Sequence, residues 1–176
     1  DFVICNGVLH HTSDPFRGFQ SIAQLVKPGG FIIVGLYNKY GRISTDIRRF
    51  IFRLSGDRFK FLDTRLMAKD VSDTRKHTWF MDQYKHPHES KHTLGEVLGW
   101  FEQTGFEFIN SIPKSTASAV FSSKEKLLAP NPKGSAIDRF LVQFGMLISG
   151  GKEGGFFVMI GRKSQSGPFS DSQSAS

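Results

Sequence analysis

The chain of 176 residues is 39% hydrophobic and 22% charged, with a formal net charge of +7. This composition is typical of one folded globular domain, or of part of a larger one, and it excludes an intrinsically disordered chain. The basic residues are spread along the sequence without a run of five or six, which excludes a basic nucleic-acid-binding tail.

The first part of the sequence predicts a strand, a helix and a second strand. Phe2–Val8 and Phe31–Leu36 are short apolar runs of the kind that forms strands buried on both faces of a parallel sheet. Between them, Asp14 is a candidate N-cap with Pro15 at the first helical position, and Lys27–Gly30 is expected to end the helix. The helical face consists of Phe16, Phe19, Ile22, Ala23 and Val26. We therefore expect a right-handed βαβ unit.

The next segment, residues 39–92, predicts a helical insertion. Ile43–Leu54 and a stretch within Thr64–Tyr84 have helical periodicity, and no strand pattern follows either one. Arg42–Lys60 combines Arg48, Arg49, Arg53 and Arg58 with phenylalanines, as a basic amphipathic helix does. A solvated helix face, an anionic substrate, an acidic membrane surface and RNA are all compatible with it.

Sheet-type patterns return after residue 92. Thr93 and Glu96 have the spacing of a capping box, and the helix that they begin is expected to end at Gly105. Phe106–Ile112 alternates as a strand does, and Phe156–Ile160 is the last predicted strand. Between them, residues 113–154 form a second insertion that includes a predicted helix from Ala136 to Ile148, and residues 164–176 are a serine-rich tail expected to be disordered.

This order of elements resembles the C-terminal half of the class I S-adenosylmethionine-dependent methyltransferase fold. Residues 1–11 resemble the family's fourth strand and the turn after it, and Asp14–Val34 resembles the next helix, its KPGG stop and the fifth strand. Residues 93–106 resemble the last crossover helix with its GF turn, and Phe156–Lys163 resembles the antiparallel seventh strand between the fifth and sixth. The resemblance implies an α/β fold, a partial Rossmann-like sheet whose strands are equivalent to the fourth to seventh, with helical insertions.

The resemblance also implies what the sequence lacks. The family binds its cofactor mainly through a glycine-rich turn after its first strand, and no GxGxG follows a strand here. We therefore expect residues 1–163 to be the C-terminal part of a methyltransferase domain that is incomplete as it stands. The first strand would then have an unpaired apolar edge, which favours association.

S-adenosyl-L-methionine is the implied cofactor, and the implied site lies at the strand ends. By resemblance, Asn6, Gly7 and Val8 would line the methionine end of the cofactor, and Gly7 would permit close approach of the backbone. His10 and His11 follow, and one of them is a candidate general base because histidine titrates near neutral pH. An ordinary strand-ending turn and helix-entry packing are the alternative roles.

A second set of residues is expected to contact the acceptor. Tyr37 and Asn38 end the next strand and would form the floor of the acceptor pocket, unless they have only turn roles. Tyr84, His88 and His92 are candidate contacts from a lid formed by the first insertion, with core or surface-loop roles as the alternative.

The segment H-P-H-E-x-x-H contains potential metal ligands in His86, His88, Glu89 and His92. Pro87 interrupts any helix that would bring these side chains to one face. We therefore expect no metal site.

The single cysteine, Cys5, cannot form an internal disulfide, which favours a reducing, cytoplasmic location. The longest apolar stretch, near residues 140–148, is too short to span a bilayer. The leading hypothesis is methyl transfer to a small-molecule acceptor. An RNA or protein methyltransferase and a non-catalytic binding or scaffold module derived from the fold are the alternatives.

Overall fold

Two parallel strands and the helix between them form the predicted βαβ unit. The computed structural model describes residues 1–85, 89–122, 124–149 and 155–165. Strand β1 (Phe2–Asn6) pairs with β2 (Phe31–Tyr37), in a register from Phe2 opposite Phe31 to Asn6 opposite Gly35. Helix α1 (Pro15–Gln24) begins as expected, because the Asp14 carboxylate accepts a hydrogen bond of 3.0 Å from the backbone N–H of Arg17.

The KPGG segment lies beyond the helix and does not form its last turn. Helix α1 ends at Gln24 with Leu25 as C-cap, so Lys27 is outside it. Gly29 has a φ of +76° and donates a backbone hydrogen bond of 2.9 Å to Lys163. A Cβ at Gly30 would be 2.9 Å from the Lys27 carbonyl oxygen, so this turn requires glycine for space as well as for its backbone angles.

The last strand of the chain lies inside the sheet. Strand β4 (Phe156–Lys163) is antiparallel to both β2 and β3 (Phe106–Ile112), and the order of the four strands is β1-β2-β4-β3. This arrangement confirms the predicted fold class and the position implied for the final strand. It also extends β4 three residues beyond the apolar run that predicted it, because Gly161, Arg162 and Lys163 continue the pairing.

The main core lies between the sheet and helices α1 and α4 (Leu94–Gln103). Phe19 contacts the rings of Trp100, Phe101 and Phe106 with centroids 5.6–6.3 Å apart. The N-terminus of α4 has only half of the predicted capping box. Thr93 accepts a hydrogen bond of 3.1 Å from the Glu96 N–H, but the Glu96 carboxylate bonds to an imidazole instead of returning to the cap.

The first insertion has a small core of its own. It contains α2 (Ile43–Ser55) and α3 (Asp73–Phe80), and α3 continues into a π-helical turn at Met81–Lys85. Its buried cluster consists of Phe52, Phe80 and Tyr84, with Leu66 packed against them. In the second insertion, α5 (Ala136–Ser149) contributes Met146 to the main core.

One edge of the sheet is open among the described residues. Strand β1 pairs only with β2, and its Phe2 and Ile4 side chains are 57% and 64% exposed. In the described part of the chain, no helix has the length and apolar character needed to cross a bilayer.

Candidate functional site

The carboxyl ends of the parallel strands β1 and β2 meet at one end of the sheet, where open α/β sheets bind their ligands. Strand β1 ends at Asn6, earlier than the predicted Val8, because Gly7 turns the chain with a φ of +73°. A Cβ built at Gly7 meets no heavy atom within 4 Å, and the Val8 side chain is 55% exposed. Asn6, Gly7 and Val8 therefore form an open turn whose backbone a ligand can approach.

The two candidate bases, His10 and His11, have different environments. Both belong to the 3₁₀ turn Leu9–His11, and their ring centroids are 4.2 Å apart. His10 is 1% exposed and packs 4.3 Å from the Tyr37 ring, and its carbonyl oxygen accepts a hydrogen bond of 2.8 Å from the Ser90 N–H. His11 is only partly buried. Of the two imidazoles, His11 is therefore the one that solvent reaches.

Asn38 is buried and is held entirely by protein partners. Its side-chain oxygen accepts hydrogen bonds from the N–H groups of Tyr40 (2.9 Å) and Gly41 (3.1 Å). Its amide nitrogen donates to Gln143 at 3.0 Å, and the same Gln143 oxygen accepts from the Leu94 N–H at 2.9 Å. These contacts give Asn38 a structural role, since it joins the end of β2 to α4 and α5.

Tyr37 lies between the strand ends and the first insertion. The Arg42 guanidinium lies 4.0 Å from the centre of its ring, and the Phe156 ring contacts it edge-on at 5.7 Å. The Tyr37 hydroxyl accepts a hydrogen bond of 3.3 Å from the Gln83 amide. Tyr37 therefore connects His10, in the turn after β1, with the helical insertion.

A buried ion pair beside Tyr37 was not identified from the sequence. Arg42 donates to both carboxylate oxygens of Glu89, with distances of 3.0 and 2.6 Å, and it also hydrogen-bonds Gln83. Arg49 donates to the same Glu89 carboxylate at 3.2 Å. Glu89 of the H-P-H-E segment is therefore occupied by two arginines. His88, predicted to contact substrate, lies outside the described residues.

His92 has both ring nitrogens hydrogen-bonded within the protein. One nitrogen lies 2.8 Å from the Ser90 hydroxyl, and the other lies 2.7 Å from the Glu96 carboxylate. The ring is 6% exposed and its centroid is 4.9 Å from that of Trp100. The His92 backbone also bridges to the end of β2, where its N–H donates to the Tyr37 carbonyl at 2.9 Å. His92 thus lies in the wall beside the strand end.

Tyr84 lies in the core of the insertion. Its hydroxyl donates a hydrogen bond of 2.7 Å to Asp63 and accepts one of 3.2 Å from Arg48. Burial, followed by the hydrogen bond to Asp63 and the charge of that carboxylate, raises the pKa of Tyr84 to about 12, although Arg48 opposes the shift. These contacts favour the core role for Tyr84.

The fold and its strand-end turn are those of a Rossmann-like α/β domain. The sheet consists of a parallel βαβ unit to which the last strand, β4, is added antiparallel between β2 and β3. The open turn lies at the carboxyl ends of the parallel strands, where such sheets bind their ligands. Residues 1–111 match the family described as a methyltransferase domain, and the chain belongs to that family. The match confirms the resemblance that the motifs indicated.

Solved structures agree with this fold, and the chain also has a curated relative. An uncharacterized protein from Synechococcus is 28% identical over 130 residues, which cover 62% of this chain and 31% of the relative. PKMT2 from Rickettsia typhi is similar in structure, with a TM-score of 0.59 at 12% identity, over 96% of this chain and 36% of that one. PKMT2 in complex with AdoHcy has a TM-score of 0.55 at 11% identity, with the same coverage of both chains. The chain thus spans about a third of the length of these proteins.

Proposed function

We propose that this domain takes part in S-adenosylmethionine-dependent methyl transfer and that the turn Asn6–Val8 contacts the methionine end of the cofactor. The observation that carries the proposal is the open turn at Gly7, whose φ of +73° and free space above the Cα expose backbone at the strand end. Membership of the methyltransferase family supports it, as does the similarity in fold to PKMT2, which has been solved with AdoHcy.

The residues present are compatible with this cofactor. When bound, S-adenosylmethionine supplies a methyl group that its sulfonium already makes electrophilic, so the protein has mainly to orient the acceptor and exclude water. Backbone groups of the Asn6–Val8 turn and the exposed Asn6 amide supply hydrogen-bond partners for an ammonium and a carboxylate. The 176 residues contain no GxGxG turn, so we expect them to supply only part of the cofactor site.

His11 is the better candidate for the general base. It is partly exposed, and a neutral imidazole can accept the proton of a hydroxyl or amine acceptor. His10 is buried between the rings of His11 and Tyr37, so its proposed role is to position His11. We propose a small molecule as the acceptor. An RNA or protein acceptor remains the alternative, and the positive charge of the insertion is the observation in its favour.

Photo-crosslinking with methyl-tritiated S-adenosylmethionine tests the proposal. We expect label in the peptide that contains Asn6–Val8, competed by S-adenosylhomocysteine. The substitution Gly7→Val should lower this labelling about tenfold, because its side chain would fill the space above the turn. Gly56→Val is the matched control, since Gly56 also has a positive φ of 59° and no atom within 4 Å of a built Cβ, but it lies in the insertion. Equal labelling of both folded variants would refute the assignment of the site.

A further inference from the structure

Although the basic residues form no long run, most of the net positive charge of the chain lies in the first insertion. Residues 39–92 contain 13 lysines and arginines and 7 aspartates and glutamates, a net charge of +6 out of the +7 of the whole chain. The residues outside this segment are therefore close to neutral as a group. A ligand attracted by the charge of this protein would be directed to the insertion.

Several of the acidic groups in this insertion are already paired. Asp46 binds Lys91 at 2.6 Å, and Asp57 binds Lys85 at 3.0 Å. Among the described residues, the side chains of Lys69 and Arg75 have no ion pair or hydrogen bond, and both are exposed. The pairing inside the insertion thus leaves part of its positive charge available to a ligand.

One of these two residues, Arg75, lines an open groove that also has an apolar surface. The groove has a volume of about 630 Å³ and lies between α3 and the segment that precedes it. Its lining includes the apolar parts of Ala68, Val71 and Trp79 and the cations Arg65, Arg75 and Lys76. Asp70 is the acidic residue on the lining, and Lys76 also pairs at 3.9 Å with the exposed Asp73, so the cations of the lining still exceed these two carboxylates.

The indole ring of Trp79 is held in place in this groove by its contacts. Its indole N–H donates a hydrogen bond of 3.1 Å to the Asp63 carboxylate, which also accepts from the Tyr84 hydroxyl. The Arg65 guanidinium lies 4.3 Å from the centre of the indole. These contacts restrict the ring, so a planar ligand would lose little of its binding energy to ordering the site.

We infer that the groove around Trp79 binds a small aromatic or otherwise flat anion, with its apolar body against Trp79 and its carboxylate, sulfonate or phosphate near Arg75 and Lys76. The volume is in the range of small-ligand sites, and the cations of the lining are complementary to an anion. A polynucleotide would require cations spaced along a track for its backbone, whereas here three cations and an apolar surface line one groove. The inference is independent of the proposed methyl transfer, because the groove shares no residue with the strand ends.

Calorimetric titration with naphthalene-2-sulfonate tests the inference, with the uncharged naphthalene-2-methanol as the matched ligand. We expect the sulfonate to bind at least about tenfold more tightly than the alcohol, since a charge-assisted contact is worth about that factor. Arg75→Gln should remove most of this preference. Arg53→Gln is the control, because Arg53 is exposed in α2 and does not line the groove.

Tryptophan fluorescence provides a second measurement that does not depend on the arginine variants. The chain has two tryptophans, and Trp100 is only 5% exposed, so binding of the sulfonate should change the emission of Trp79. We expect Trp79→Phe to abolish that change. Equal binding of the two naphthalenes would overturn the inference. A second result would also overturn it: Arg53→Gln and Arg75→Gln weaken sulfonate binding equally, and oligouridylate binds more tightly than the sulfonate. That result would indicate a diffuse nucleic-acid surface.

Discussion

The Arg42 guanidinium forms a two-pronged salt bridge with Glu89, at 3.0 and 2.6 Å, although 47 residues separate them in the sequence. Both side chains are buried, with exposures of 0% and 1%. Because Arg42 also lies against the Tyr37 ring at the end of β2, this pair holds the first insertion against the candidate site. The pair therefore couples the stability of the insertion to the geometry of the strand ends.

Removal of one partner from this pair should destabilise the protein strongly. In Glu89→Gln the Arg42 charge stays buried without its carboxylate, and we expect a loss of about 3–5 kcal/mol in the free energy of unfolding, measured by urea denaturation. Lys133→Ala is the control, since its ion pair with Glu102 is mostly exposed and should contribute less than about 1 kcal/mol. Equal losses of unfolding free energy in the two variants would show that the buried ion pair stabilises the protein no more than the exposed one.

The raised pKa of Tyr84 predicts a loss of stability at alkaline pH. The neutral phenol is favoured in the folded state, so its stabilising effect is complete below the unfolded-state pKa of about 10 and is lost as pH rises through the folded-state pKa of about 12. Titration of tyrosinate absorbance should show one group near 12 that disappears in Tyr84→Phe. A titration curve unchanged by that substitution would contradict the assignment.

Gly35 should not tolerate a side chain. A Cβ at this position would lie 2.5 Å from the Phe156 ring and 2.6 Å from the Asn6 side-chain oxygen, so these side chains would have to move. We expect Gly35→Ala to cost about 1–3 kcal/mol of unfolding free energy. Gly99→Ala in α4 is the comparison, because its nearest contact would be 3.9 Å away and alanine should gain about 0.5–1 kcal/mol in a helix. Thermal melts of both variants distinguish these opposite signs.

The open edge of β1 should mediate association. Ile4 is 64% exposed on a strand that pairs on one side only among the described residues, and a lysine on such an edge opposes pairing with another chain. We expect Ile4→Lys to lower the mass measured by sedimentation at high protein concentration. Leu25→Lys removes an equally exposed apolar side chain at the end of α1 and should have no such effect. The same sedimentation for both variants and the parent would exclude this edge as the contact.

The sheet and its helices could be predicted because their signals are local. Apolar runs gave the strands, and Asp14, Pro15 and Thr93 marked helix starts that the structure confirms. The order of the last two strands came from the resemblance, because pairing between Phe156–Lys163 and strands far away in sequence has no local pattern.

The surroundings of the candidate site could not be predicted in the same way. The hydrogen bond between Asn38 and Gln143 spans 105 residues, and that between Arg42 and Glu89 spans 47. Polar side chains look alike in the sequence whether they are solvated or buried in such pairs. The Glu96 carboxylate is a further example. The capping-box spacing predicted that it would accept a hydrogen bond from the backbone N–H of the cap, but it bonds to the His92 ring instead.

Titration of S-adenosylhomocysteine into the isotopically labelled chain, followed by amide-resonance NMR, tests whether the strand ends bind the cofactor, because this method detects and locates even weak binding. We expect the resonances of Asn6, Gly7, Val8 and His11 to shift and to saturate with ligand. The resonances of the groove around Trp79 should stay unchanged. Unchanged resonances at the strand ends up to millimolar ligand, or shifts confined to other parts of the protein, would contradict cofactor binding at the strand ends.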